Sequence, residues 1–351
     1  MKEYGGMSFI DHVKWVSRFA GLTALAVLTA ATLTSCGGGA GSGPENGNAA
    51  AAKPTKVTVV LDWTPNTNHT GLYVAQAKGF YADEGLDVEI MQPPEDGANA
   101  LVAAGKAEFG IGFQDTMASA LAADPALPIT AVAAVIQHNT SGLISAKGKG
   151  IDSFKALEGK NYATWDTPLE KAVIGACMAA EGGDVTKVTF IPSTVTNVLT
   201  ALAADIDTVW VYEGWDVVAA QVEGFEYNYL DFAKTSPVLD YYTPVIISGD
   251  KFLSDSPDVA KRFLRATGKG YEYCAKNPGE AADILLAAAP ELDAALVKAS
   301  QEFLAGQYVA EQESWGYIDP ARWEAFYDWA YKNGVVAKEL GASGFSNAYL
   351  D

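Results

Sequence analysis

The chain has 351 residues and a formal net charge of −19, with 24 Lys and Arg set against 43 Asp and Glu. Residues 1–35 contain Lys2, Lys14, Arg18, Glu3 and Asp11, so the rest of the chain stands at −20, a surface that repels nucleic acid and anionic lipid headgroups. Roughly 295 residues lie beyond position 55, enough for two lobes with apolar cores of their own.

In chain order, the first predicted element is a targeting segment. Lys2, Lys14 and Arg18 give a basic flank, and Phe19 to Leu33 is apolar and uncharged. That run suits a signal core and falls short of the ~20 residues of a stable membrane span. Small residues precede the cysteine in Leu33-Thr34-Ser35-Cys36, which resembles a lipobox. Residues 1–35 are therefore expected to be a lipoprotein signal peptide. Cys36 is the expected lipidation site, and the mature protein is expected to work outside the cytoplasm, held to the membrane by that lipid alone. Residues 36–55, rich in Gly, Ala and Asn, form the expected tether. Cys177 and Cys274 sit in apolar or helical stretches and are predicted to be buried free thiols.

Strand and helix patterns then alternate. Lys56–Leu61 is a β-branched run, Leu72–Glu84 a helix stopped by Gly85, and Leu86–Ile90 a strictly alternating strand. A helix over Asn99–Lys106, a strand over Phe109–Gly112, a helix over Thr116–Ala123 and a strand over Ile129–Val135 follow. The pattern restarts near Ser153, with strands predicted at Asn161–Thr164, Val188–Ile191, Thr208–Tyr212 and Tyr227–Leu230, and helices starting near Pro168, Thr196 and Glu213. A lone strand over Thr243–Ser248 precedes a tail expected to be helical from Ser254, with Ser256-Pro257-Asp258 as a start signal. The alternation predicts an α/β fold of two lobes, each a mostly parallel sheet covered by helices. The expected division is 56–147 for the first part of lobe 1, 148–243 for lobe 2, and 244–351 for the return strand and C-terminal helices of lobe 1.

Four constellations fall at strand ends, where open α/β folds bind ligands. Leu61-Asp62-Trp63-Thr64-Pro65-Asn66-Thr67-Asn68-His69 offers a flat aromatic, amides and an imidazole to a planar hydrogen-bonding solute, or else a turn whose Asn and Thr cap the next helix around a core Trp63. Gly110-Ile111-Gly112-Phe113-Gln114-Asp115-Thr116 opens a helix without the GK[ST] of a phosphate loop. Tyr162-Ala163-Thr164-Trp165-Asp166 and Trp210-Val211-Tyr212-Glu213-Gly214-Trp215 set aromatics beside a carboxylate. Trp63, Trp165 and Tyr212 are taken as cleft residues, and Trp210 and Trp215 as core. Trp315, Trp323 and Trp329 are expected to pack in the tail. No metal motif or nucleophile elbow is present, and no cofactor is expected.

Leu61 to Ala75, followed by Lys78-Gly79-Phe80-Tyr81, resembles the opening of the NMT1/THI5-like solute-binding proteins. Val209 to Trp215, Tyr241 to Ile246, and the tail from Arg265 through Tyr273, Asn277-Pro278 and Pro290-Glu291-Leu292 continue the likeness over most of residues 56–330. The nearest branch is that of ThiY-type lipoproteins. The resemblance implies a two-lobed, type II periplasmic-binding-protein fold closing on an aminopyrimidine, and an ABC permease and ATPase as partners of a monomeric receptor. In that picture Trp63 and Tyr212 stack the ring, while Glu213, Asn66 and Gln114 bond its nitrogens; Asp62, His69, Asp115 and Trp165 complete the site. The shortened Ala204-Asp205-Ile206-Asp207 and the Tyr162–Asp166 segment depart from the family pattern.

The same superfamily includes riboflavin binders and a fungal pyrimidine synthase that resembles this chain over Gly112–Ala118. The lysine and histidine of that enzyme correspond to Gln114 and Ala118 here, and its cysteine-rich run is missing, so its Schiff base has no lysine to form on. The sequence therefore points to a receptor and not an enzyme.

Overall fold

In the computed structural model of the chain, residues 53–350 are described, apart from positions 95, 96, 194 and 196. The expected signal peptide, the expected lipidation site Cys36 and nearly all of the expected tether lie outside the described residues. Among the described residues no helix is long and apolar enough to cross a membrane.

Among the described residues, ten strands form two sheets. The first draws on β1 (Thr55–Val60), β2 (Leu86–Met91), β3 (Phe109–Gly112), β4 (Ile129–Ala134) and, far along the chain, β10 (Val245–Gly249), in the order β2-β1-β3-β10-β4. The second draws on β5 (Ser141–Ala146), β6 (Asn161–Thr164), β7 (Thr189–Pro192), β8 (Thr208–Tyr212) and β9 (Tyr227–Asp231), in the order β7-β6-β8-β5-β9. In each sheet one strand runs against the rest: β10 is antiparallel to β3 and β4, and β5 to β8 and β9. Both sheets are thus mixed, with the reversed strand being the one that enters from the other lobe.

Strand β5 lies in the second sheet, ahead of the boundary expected at 147/148. The first crossing between lobes is therefore the segment 135–140, and the second is 240–244. The two crossings are tied together. Val135 N–H donates to Pro244 O at 3.0 Å, Asn139 N–H to Asp240 Oδ1 at 2.8 Å, and Asn139 Nδ2 to Leu239 O at 2.8 Å. His138 bridges Asp240 (2.7 Å) and Glu311 (2.9 Å), while Arg322 reaches Asp240 at 3.2 Å and lies 4.0 Å over the Tyr242 ring. The hydrogen bond to Asp240 is the main reason the His138 imidazole is raised to about 9.

Helices cover both sheets. In the first lobe these are α1 (Thr70–Ala77), α2 (Phe80–Asp83), α3 (Gly97–Ala103) and α4 (Gln114–Ala122). Gly79, at φ 77°, breaks the single helix expected over Leu72–Glu84 into α1 and α2. The second lobe carries α5 (Pro168–Ala180), α6 (Val198–Leu202), α7 (Val218–Val222) and α8 (Phe232–Thr235). The tail adds α9 (Asp250–Asp255), α10 (Pro257–Lys276), α11 (Pro278–Ala288), α12 (Ala294–Ala305) and α13 (Pro320–Lys332). It is not helical throughout. Residues 306–319 form turns that brace the first crossing, with Gln137 N–H donating to Gln307 O at 2.9 Å and Trp315 Nε1 to Val135 O at 3.0 Å.

Each lobe buries apolar side chains on both faces of its sheet. Helices α1 and α10 approach closely enough that a Cβ on Gly270 would sit 2.1 Å from Gly71 O. Cys177 and Cys274 are free and buried, and burial pushes the Cys177 thiol up to about 12. Trp315 and Trp323 are buried, with Trp315 stacked on Tyr271 at 4.7 Å.

Candidate functional site

The carboxyl ends of β1, β3, β6 and β8 bring the four constellations together between the lobes. At the end of β1, Asn66 begins a single 3-10 turn (Thr67–His69) that leads into α1. Its Oδ1 accepts from Asn68 N–H at 2.9 Å and its Nδ2 donates to Thr64 O at 3.2 Å, so the amide serves the local turn. His69 is fully buried and also engaged at both nitrogens. Its Nδ1 accepts from Asn66 N–H at 3.2 Å, which places the ring proton on Nε2, and Nε2–H donates to Asp62 Oδ1 at 2.6 Å. His69 therefore holds Asp62 in place and is not itself presented to a ligand, while the half-buried Asn66 fixes His69 through its backbone N–H. Trp63, just beyond, is 60% exposed.

Gln114, the first residue of α4, is turned inward. Its Nε2 donates to Trp323 O and its Oε1 accepts from Tyr242 N–H, each at 2.9 Å, and no part of it is exposed. The expected hydrogen bond from Gln114 to a ring nitrogen is corrected accordingly: its amide joins α13 to the second crossing. Asp115 beside it accepts from Thr116 N–H at 2.7 Å and from the Tyr241 hydroxyl at 3.4 Å. Burial outweighs these bonds and raises Asp115 to about 6.

At the end of β6, Trp165 is 53% exposed and its backbone is fixed by Glu170, a fully buried carboxylate on α5. Glu170 Oε1 accepts from the Tyr162 hydroxyl (2.6 Å) and Trp165 N–H (3.1 Å). Its Oε2 accepts from Thr164 Oγ1, Thr167 N–H and Thr167 Oγ1, all at 3.1 Å. Within this loop Asp166 holds a left-handed backbone, φ 61°, with its N–H on Thr164 Oγ1 at 2.8 Å.

Strand β8 ends in Tyr212, followed by a π-helical turn over Glu213–Val217. The Tyr212 ring lies 6.5 Å from Phe113 of the first lobe at an interplanar angle of 19°. Its hydroxyl is raised mainly by burial, and the charges of Asp115, Asp62 and Asp216 all act on it. Asp216, one turn on, accepts from Tyr212 N–H at 3.2 Å and is itself raised to about 6 by burial. No cation is among the groups acting on Asp115 or Asp216. Glu213, by contrast, lines an open cavity of about 420 Å³ with Phe303, Asp231 and the first crossing, and burial raises its carboxyl. Tyr212 instead lines a small enclosed void with Thr243 and Leu304. Trp210 is buried against Phe232, and Trp215 is half-buried.

The structure thus gathers Asp62, Asp115 and Tyr212 between the lobes, with Trp63 and Trp165 exposed at strand ends. Asn66, His69 and Gln114 serve as supports, and Glu213 belongs to a different cavity. Asp216 escaped the sequence reading; the signal for it was its place three residues after Glu213, where a turn brings it back to Tyr212. Uncompensated carboxylates beside aromatic rings suit a flat ligand that donates N–H groups or carries positive charge.

A family model described as NMT1/THI5 like matches residues 66–281. A formylaminopyrimidine-binding protein of Halalkalibacterium halodurans is 29% identical over 285 residues, covering 78% of this chain and 84% of that protein. A 4-amino-5-hydroxymethyl-2-methylpyrimidine phosphate synthase of Legionella pneumophila is 28% identical over 248 residues, 68% of this chain and 75% of its own. Among solved structures, the alkanesulfonate-binding protein SsuA of Xanthomonas axonopodis pv. citri superposes with a TM-score of 0.64 at 13% identity, over 84% of this chain and 99% of that one. The fold is that of the two-lobed periplasmic solute-binding proteins.

Proposed function

The chain belongs to the NMT1/THI5-like family, and on that premise we propose that it is a receptor for a thiamine pyrimidine precursor of the formylaminopyrimidine or hydroxymethylpyrimidine type. The ligand enters between the lobes, is flanked by Trp63, Trp165 and Tyr212, and gives its N–H groups to Asp62, Asp115 and Asp216. The lobes close over it, and the receptor hands it to the permease and ATPase of an ABC importer. Cys36, carrying lipid, keeps the protein at the outer face of the membrane.

The observation that carries this reading is the placing of two half-buried carboxylates by Tyr212: Asp216 accepts from Tyr212 N–H, Asp115 accepts from the neighbouring Tyr241 hydroxyl, and no cation is among the groups acting on either. A protonatable aminopyrimidine supplies the missing positive charge, whereas an anion meets only repulsion. Turnover is not part of the proposal. The positions that correspond to the synthase lysine and histidine are Gln114 and Ala118, and the Gln114 amide is engaged by Trp323 and Tyr242. Isothermal titration with formylaminopyrimidine, hydroxymethylpyrimidine, thiamine and riboflavin tests the reading. Saturable binding of a pyrimidine precursor, recovered unchanged, supports it; preference for riboflavin or release of a modified ligand defeats it.

A further inference from the structure

One buried hydroxyl joins the loop that follows β1 in the first lobe to the turn that follows β8 in the second. Ser300 Oγ, on α12, donates to Gly214 O in the π-helical turn. It also lies 2.5 Å from Thr67 Oγ1, in the 3-10 turn whose His69 holds Asp62. Both Ser300 and Thr67 are buried. A serine hydroxyl has one hydrogen and a carbonyl can only accept, so the chain runs one way, from Thr67 to Ser300 to Gly214. It also runs from lobe to lobe. Helix α12 belongs to the first lobe, where its Leu304 shares a core cluster with Val57 and Val59 of β1. The 3-10 turn is fixed from the same side, Tyr308 Oη donating to Thr67 O and Tyr271 Oη to Asn68 O, each at 2.7 Å. Trp215, next to Gly214, packs on Leu285 of α11 and Val297 of α12. Thr67, Tyr212 and Gly214 line the small enclosed void together.

Stability alone does not call for such a chain, because paired hydroxyls in a core contribute little more than apolar groups of the same shape. A hydrogen bond adds direction and distance. Here both ends fall in segments that carry site residues: Gly214 stands two residues from Tyr212 and two from Asp216, and Thr67 shares its turn with His69. The π-helical turn is an irregular feature of the kind found mostly at functional sites, and it is what brings Asp216 back to Tyr212 N–H. We propose that Ser300 is a positioning residue of the ligand site: through Thr67 and Gly214 it sets the spacing between Asp62 on the first lobe and Tyr212 and Asp216 on the second. It acts without touching the ligand. Given the receptor reading above, Ser300 has this role whichever heterocycle fills the cleft.

The test is calorimetric titration of the full chain with formylaminopyrimidine, set beside melting of each ligand-free variant. Ser300→Ala breaks both links and should weaken binding by about tenfold or more; Thr67→Val breaks one and should cost about threefold, within the range for lost hydrogen bonds. Thr67→Ser keeps the hydroxyl and should bind like the parent. Because the chain runs through Ser300, adding Thr67→Val to Ser300→Ala should cost no further affinity. Val57→Ala, a core truncation toward the amino end of β1, is the control: its melting midpoint should fall while affinity stays within about twofold. Ser300→Ala binding within about twofold of the parent, a double variant whose losses add, or a Val57→Ala that loses affinity in step with its midpoint overturns the positioning role and leaves the receptor reading standing. Should Ser300→Ala not fold, the Thr67 pair decides: Thr67→Val binding as well as Thr67→Ser overturns the role. A parent that takes riboflavin instead defeats the aminopyrimidine reading alone, and the same comparison is then made with riboflavin. A parent that binds neither overturns both.

Discussion

Replacing Glu170 by Gln should destabilise the second lobe and loosen Trp165 together. The two Glu170 oxygens accept five hydrogen bonds, and each takes one backbone N–H, Trp165 on Oε1 and Thr167 on Oε2. Glutamine keeps the shape but exchanges one oxygen for NH₂. The hydroxyls of Tyr162, Thr164 and Thr167 can rotate to accept from that NH₂; a backbone N–H cannot. Whichever way the amide is turned, one N–H faces a donor, which costs about 1–3 kcal/mol, and the surviving bonds lose their charge-assisted part. Relief from burying a charge offsets some of this, leaving a net loss on the order of 2–3 kcal/mol. Urea unfolding followed by far-UV circular dichroism measures the loss, and acrylamide quenching of tryptophan emission reports the freed Trp165. A variant within about 0.5 kcal/mol of the parent, with unchanged quenching, would refute the role given to this carboxylate.

Asp216→Asn keeps the acceptor for Tyr212 N–H but removes an ionised group raised from 3.8 to about 6. Without ligand the variant should be more stable at neutral pH by up to about 2–3 kcal/mol, and it should bind the aminopyrimidine more weakly; equal melting temperatures at pH 7.5 count against the burial argument. The sign with pH follows: the folded state holds the Asp115 and Asp216 protons more tightly than the unfolded chain. Their unfavourable contribution is therefore absent below about pH 4, grows as pH rises and levels off past about 6.5, so the gap between parent and Asp216→Asn should open over that window in melting curves. His138 has the opposite sign. Raised to about 9 by Asp240 first, it contributes stability that is complete below about pH 6.5 and lost through about 9; His138→Gln should flatten that alkaline limb of the melting curve. Gly270→Ala places a Cβ 2.1 Å from the Gly71 carbonyl and should cost about 3 kcal/mol or more in urea unfolding by forcing α1 and α10 apart.

Most of the scaffold was legible in the sequence. The β-branched run at 55–60 and the short strands at 109–112, 161–164 and 208–212 announce themselves by residue type, and Pro168 marks the start of α5. Strand β5 went unread because Ser141-Gly142-Leu143-Ile144-Ser145-Ala146 is built mostly of small residues. Gly142 shows why: a Cβ there would lie 2.3 Å from Leu230 O, so close packing on β9 excludes the bulky side chains that mark a strand. Trp63 and Trp165 were readable as lying just past strand ends, and both are exposed there. The orientation of polar side chains was not. Gln114 finds its partners at Tyr242 and Trp323, more than a hundred residues away, and the Asn66 amide closes its own turn. Glu213 and Asp216 look interchangeable in sequence, and only the π-helical turn separates the side that meets Tyr212 from the side that meets Phe303.

The knot at the crossings constrains how the two lobes can move. Val135 is joined to Pro244, and Asn139 to both Asp240 and Leu239, so the two connecting segments form a single ribbon. Two independent strands would permit shear and twist as well as bending. One laced ribbon leaves a single soft torsional axis, and the Glu311 and Arg322 contacts root that axis in the first lobe. Domain rotation then has one degree of freedom. Scattering profiles collected along a ligand titration should accordingly decompose into two end states with no third component.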